Sequence, residues 1–185
     1  ITRVRTRLAY LIKLWNQGIR FDTLVFHGSQ RPRDPQVEPE RILLNNNVPD
    51  LPINAAWQFS GSLPATEYDM IRMVIEQTEF PAAMVAIPKI VIDCPMLPTA
   101  NGSLVRPTTG DVVTAWLATK PQPGSCLCIS NQPYVGYQDA VVATLVPSTF
   151  TTETVGPVLE QPEKIAVVLD SVARWLYQEQ QRRKA

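Results

Sequence analysis

FDTLVFHGSQR, residues 21–31, decides how the rest of the chain is read. A largely apolar run at 21–26 ends in a polar cluster, His27, Gly28, Ser29, Gln30 and Arg31. A short run bounded by turn-forming residues fits a buried strand, with the polar residues at its carboxyl end. The same pattern recurs three times. Residues 89–92 run into Asp93 and Cys94, 127–129 into Ser130, Asn131 and Gln132, and 150–155 into Gly156 and Pro157. Helical spacing fills the intervals. Strands alternating with helices indicate a parallel sheet whose ligand site lies at the strands' carboxyl ends. The expectation is an α/β fold: a three-layer Rossmann-like sandwich with a mainly parallel sheet of four or five strands flanked by helices.

Working outward, Val4, Leu8, Leu11, Ile12 and Trp15 follow helical spacing, and Gly18 offers a stop. The first strand, 21–27, follows at once. A helix leading straight into a buried strand implies a further strand upstream of Ile1. The chain also opens on Ile rather than Met, so it reads as a fragment of a single α/β domain over 1–185. Residues 28–65 are rich in Pro, Asn and Asp, with a short helix expected at 39–44. The cluster Asn45, Asn46 and Asn47 and the prolines at 49, 52 and 64 oppose longer elements. Two readings of this segment stay open: a lid or site wall anchored by Trp57 and Phe59, or a plain insertion.

Thr66 and Asp69 have the spacing of a capping box, and Ile71, Val74, Ile75 and Thr78 form the inward stripe of the helix they open. Residues 80–87 lead into the second strand, 89–94. A loop at 95–107 precedes a helix that starts at Thr108, with Asp111 three places on and Val113, Trp116 and Leu117 facing the sheet. A strand at 125–130, a helix at 137–145 and a Thr-rich edge strand at 150–155 follow. Pro162 opens a last helix whose apolar stripe is Ile165, Val168, Leu169, Val172 and Leu176.

Composition narrows the function classes. The chain has 17 Lys and Arg against 17 Asp and Glu, so no net basic charge favours nucleic acid. The basic end at 180–184 complements a helix dipole. No run approaches the ~20 apolar residues of a membrane span. No signal peptide is visible, which favours a cytoplasmic location over a periplasmic or secreted one. Three cysteines cannot make a full disulfide framework, and one histidine without a Cys-x-x-Cys argues against zinc. Cys126 and Cys128 alternate on one strand face and read as packed thiols.

The candidate site residues lie at the strand ends and helix starts. Arg31 and Arg106 bring planar forks suited to carboxylates and phosphates. Arg106 precedes Thr108, Thr109 and Gly110, where a helix start supplies amides and hydroxyls for an anion. Asn131 and Gln132, joined by Gln138 one helical turn on, offer neutral donors and acceptors. Ser29 stands at the end of the first strand. Glu67 opens a helix, where it complements the dipole and can hold a ribose, metal or base. His27 is a candidate general base, with Asp93 to orient it. Ser29 or Cys94 with His27 remains an alternative nucleophilic set. The dinucleotide and P-loop glycine patterns are absent.

The order of these elements resembles the YdcF-like (SanA/YdcF) family. Arg7-Leu8 matches its first helix, Val25 to Ser29 its second strand, Thr66-Glu67-Tyr68 its acidic helix start, Arg106 to Asp111 its Thr-rich turn, and Ile129 to Gln132 the strand and loop that follow. His27-Gly28-Ser29 stands where the family pattern has Ser-Gly-Gly. The resemblance implies a Rossmann-like fold with a polar pocket made by these turns, and a nucleotide-like ligand such as S-adenosylmethionine.

Together these features point to a small-molecule enzyme or binding protein for an anionic, nucleotide-like or phosphorylated ligand. The alternatives are a non-catalytic interaction protein on the same scaffold, or the hydrolase above.

Overall fold

The computed structural model describes residues 1–45, 47–158 and 162–183; Asn46 and Lys184, singled out above, lie outside the described residues. It is a mixed α/β chain of seven helices and six strands among the described residues. The chain divides into two compact units, Ile1–Thr108 and Thr109–Ala185, each considered by itself.

In the first unit, α1 (Thr2–Asn16) buries Leu8, Leu11, Ile12 and Trp15. It ends before Gly18, whose φ of 104° suits a residue without a side chain. β1 (Leu24–Ser29) pairs in parallel with β2 (Lys89–Cys94), from Leu24 opposite Lys89 to Ser29 opposite Cys94. The strand therefore starts three residues later, and ends two residues later, than the apolar run at 21–27 suggested. His27, Gly28 and Ser29 are ladder residues rather than a turn, because Ile92, Asp93 and Cys94 continue the partner strand alongside them.

The parallel pair is linked through α3 (Glu67–Gln77), which packs against both strands. A Cβ at Gly28 would lie 2.9 Å from the Ile92 carbonyl oxygen and 3.2 Å from Ile71 Cδ1, so the glycine permits the close helix–strand approach. α3 buries Met70, Ile71, Met73, Val74 and Gln77, a wider face than the expected stripe. The reason is that α3 is covered on a second side. Leu43 of α2 (Glu40–Leu43) clusters with Met70 and Met73, and Trp57 and Leu63 pack onto that cluster. Each fully buried side chain of this size is worth about 1.5–3 kcal/mol. Buried Arg5 ties α2 to the body by donating to the carbonyls of Ile42 and Leu43 and to Gln77 Oε1, each at 2.7 Å. The 28–65 segment is thus pinned at several points. α4 (Ala82–Val85) buries Met84 ahead of β2. The loop at 95–107 contains a small antiparallel hairpin, β3 (Leu97–Pro98) with β4 (Leu104–Val105), closed by the Thr99 amide donating to the Ser103 carbonyl at 2.8 Å. Two-residue strands broken by Pro, Asn and Gly leave no periodicity to read.

In the second unit, α5 (Thr109–Ala118) precedes a second parallel pair, β5 (Ser125–Ile129) with β6 (Thr151–Val155), connected through α6 (Val135–Leu145). α6 opens two residues before the expected 137. α7 begins at Ile165, not at Pro162 (Ile165–Arg182). It turns Ser171 inward, where the hydroxyl donates to the Pro133 carbonyl at 2.8 Å, while Ile165, Leu169 and Leu176 stay exposed. Ladders join the described strands two at a time, and none among them extends to four or five strands. No helix among the described residues is long and apolar enough to cross a membrane.

Candidate functional site

The carboxyl end of β1 carries a network of charge. Thr66 caps α3 in a reciprocal box: its Oγ1 accepts from the Asp69 amide at 3.2 Å, and Asp69 Oδ2 accepts from the Thr66 amide at 3.1 Å. The next amide, that of Glu67, donates to the Arg31 carbonyl at 2.9 Å and stitches the helix start to the segment leaving β1. This places the Glu67 carboxylate over the strand end. Ser29, 1% exposed, donates to Glu67 Oε2 at 2.6 Å. Glu67 Oε1 stands 2.9 Å from Arg106 Nη2 and 3.6 Å from Arg31 Nη2.

Arg31 is held mainly by Glu38, through Nη1 to Oε2 at 3.1 Å and Nη2 to Oε1 at 2.7 Å. Glu38 is 4% exposed and also accepts from the Asp34 amide at 3.1 Å. Burial alone would raise its pKa. The Arg31 hydrogen bonds, the Asp34 amide and the nearby cationic groups outweigh that and bring it down to about 2. The same hydrogen bond to Glu38, with the charge of Glu67, raises the pKa of Arg31 against its burial. Arg31 therefore bridges two carboxylates, Glu38 and Glu67. Arg106, with a side chain 60% exposed, is the accessible partner of Glu67.

Two further arginines belong to this field. Arg7 loses pKa to burial first and then to repulsion from Arg3 and Arg106, which Glu67 only partly offsets. Arg3 and Arg7 lie one helical turn apart on α1, where residues four apart are neighbours. Their spacing was visible in the sequence. Glu38, seven residues beyond Arg31 in an irregular segment, carried no such signal.

His27 is an exposed residue of β1. Surrounding protein and the charge of Arg7 lower its pKa to about 4, so it is neutral at pH 7. Asp93 accepts from Gln30 Nε2 at the exposed edge, so the carboxylate foreseen as the partner of His27 is engaged elsewhere. Cys94 is 2% exposed and faces the core beside Ile92. Thr108 is exposed at the end of this unit.

In the second unit the turn after β5 is built from hydrogen bonds. Ser130, 1% exposed, donates to Gln138 Oε1 at 2.6 Å, and Gln138 Nε2 reaches Thr109 Oγ1 at 3.5 Å. The Asn131 carbonyl accepts from the Tyr134 amide at 2.8 Å, while the Gln132 side chain is exposed. Cys126 and Cys128 on β5 are half-buried rather than fully packed. Burial and the neighbouring Cys126 raise the Cys128 thiol to about 11, so it stays protonated at neutral pH.

The structure thus brings together Ser29, Arg31, Glu67 and Arg106 in one unit, and Thr109, Ser130 and Gln138 in the other. No group of three His, Cys, Asp or Glu among the described residues is placed to hold a metal. No protein-family profile, curated protein or solved structure matches the chain.

Proposed function

We propose that the chain is a small-molecule enzyme or binding protein for an anionic, phosphorylated or nucleotide-like ligand, held at the carboxyl end of β1. The observation that supports this is the Glu67 carboxylate at the carboxyl end of β1, set between Arg31 and the exposed Arg106, with Arg7 near enough to feel the charge of both Glu67 and Arg106. Like charges at such spacing repel, and burial of Arg7 sharpens the repulsion. A phosphate oxygen can accept from the exposed Arg106 guanidinium in this field. Neutral His27, close enough to Arg7 to feel its charge, adds a hydrogen-bonding group beside the anion. Under the same proposal the chain is of Rossmann-like, YdcF-like type, and the protein works in the cytoplasm.

Thermal denaturation with phenyl phosphate, ribose 5-phosphate and adenosine monophosphate tests the reading. A ligand present at about 100 times its Kd stabilises by about 2.7 kcal/mol. The expected result is a higher Tm with at least one of the three, lost in Arg106→Ala. Unchanged Tm with all three at millimolar concentration would overturn the proposal.

A further inference from the structure

A hollow of about 360 Å³ lies between the 57–65 segment and α3, a volume within the range of small-molecule sites. Its apolar wall is fixed by packing. Trp57 and Leu63 rest on the buried cluster of Leu43, Met70 and Met73, and Met73 itself lines the hollow. Phe59 stands beside Trp57, with ring centroids 6.4 Å apart and planes tilted by 43°. Both rings are half-buried, and such a pair offers a face and an edge to a third ring. α3 adds Arg72 and Glu76 to the lining, four residues apart and both exposed. Among the described residues neither takes part in an ion pair, with the other or elsewhere. A cation four places before an acid is the weaker order for a helical pair. Arg72 lies over the Tyr68 ring instead, 5.9 Å from its centroid. Asp69, the third charged residue of the lining, is committed to the Thr66 cap.

We propose that this hollow binds an aromatic α-amino acid as its zwitterion. The ligand ring packs against Trp57 and Phe59, its carboxylate meets the planar fork of Arg72, and its ammonium meets Glu76. Residues four apart on a helix stand about 5–6 Å apart at Cβ, a spacing that two charged groups on one carbon can bridge. Both ligand charges are needed. An acid without the ammonium leaves its charge beside Glu76, and an amine without the carboxylate meets Arg72. The site does not rest on the anion-binding reading above. Glu76 is nine residues beyond Glu67 on α3, about 13 Å at the rise of a helix.

The test is a chemical-shift titration of the isotopically labelled chain with L-phenylalanine, phenethylamine and N-acetyl-L-phenylalanine, in wild type, Arg72→Gln and Glu76→Gln. Phenethylamine lacks the carboxylate and the N-acetyl compound lacks the ammonium. The wild type is expected to bind L-phenylalanine most tightly, with the shifts at residues 57–65 and 72–76. An exposed charge pair is worth up to about fivefold in affinity, so each analogue should bind about fivefold more weakly. R72Q should weaken L-phenylalanine by about the same factor without weakening phenethylamine. E76Q should weaken L-phenylalanine without weakening the N-acetyl compound. No saturable shift with L-phenylalanine at millimolar concentration, shifts confined to other residues, or analogues that bind as tightly as the amino acid would overturn the proposal. So would an equal loss for all three compounds in either variant, which a distorted hollow produces and a lost charge contact does not.

Discussion

Glu38→Gln isolates the strongest electrostatic feature of the first unit. Gln has nearly the shape of a protonated glutamic acid, so the variant carries at every pH the neutral group that the wild type acquires only in acid. The Glu38 carboxyl falls from 4.5 to about 2 on folding, which at about 1.4 kcal/mol per pH unit gives about 3 kcal/mol of stability. The sign follows from proton binding. Above pH 4.5 the carboxylate is ionised in both folded and unfolded chains, and the full advantage is present. Between 4.5 and about 2 the unfolded chain takes up a proton that the folded chain refuses, and the advantage drains away. About 3 kcal/mol also agrees with the usual cost of breaking a buried ion pair from one side, about 3–5 kcal/mol. The assay is urea unfolding followed by circular dichroism, for wild type and E38Q, over a series of pH values from neutral down to about 2.5. The two stabilities should differ by about 3 kcal/mol at neutral pH and converge as the pH falls below 4.5. Because both proteins share every other titrating group, only the difference is interpreted. A neutral-pH difference under about 1 kcal/mol, or one that does not shrink on acidification, would refute the reasoning; the former is what an exposed pair gives.

Two further substitutions probe how the scaffold is held. Arg5→Met leaves the Ile42 carbonyl and Gln77 Oε1 without the buried donor they now share, and an unmet buried acceptor costs about 1–3 kcal/mol. The expected result is a loss of about 3 kcal/mol with faster proteolysis between residues 28 and 65; an unchanged cleavage rate would show that Arg5 does not pin that segment. Gly28→Ala puts a methyl group 2.9 Å from the Ile92 carbonyl oxygen, and should lower stability by about 1–3 kcal/mol in chemical denaturation. A variant as stable as wild type would mean that the Ile92 carbonyl of β2 and the Ile71 side chain of α3 can both give way without cost.

Much of the local structure was legible because it is periodic. The apolar run near Val25 and that near Ile90 became β1 and β2, and Thr66 with Asp69 formed the capping box that their spacing required. Partnership across the sheet was not legible, since a period of two says which face a residue takes and nothing about which strand lies beside it. That is why a continuous sheet was expected where the described ladders join strands in pairs. The site shows the same limit in electrostatic form. Arg31 and Arg106 look alike in a sequence, each an arginine beside a turn. They diverge only through Glu38, which reaches Arg31 by way of an irregular segment that Arg5, Leu43 and Trp57 hold in place. Packing of that segment therefore decides which arginine is a strut and which meets solvent. A change that loosened it, far from Arg106, would free Arg31 to compete for Glu67 and alter the charge at the carboxyl end of β1.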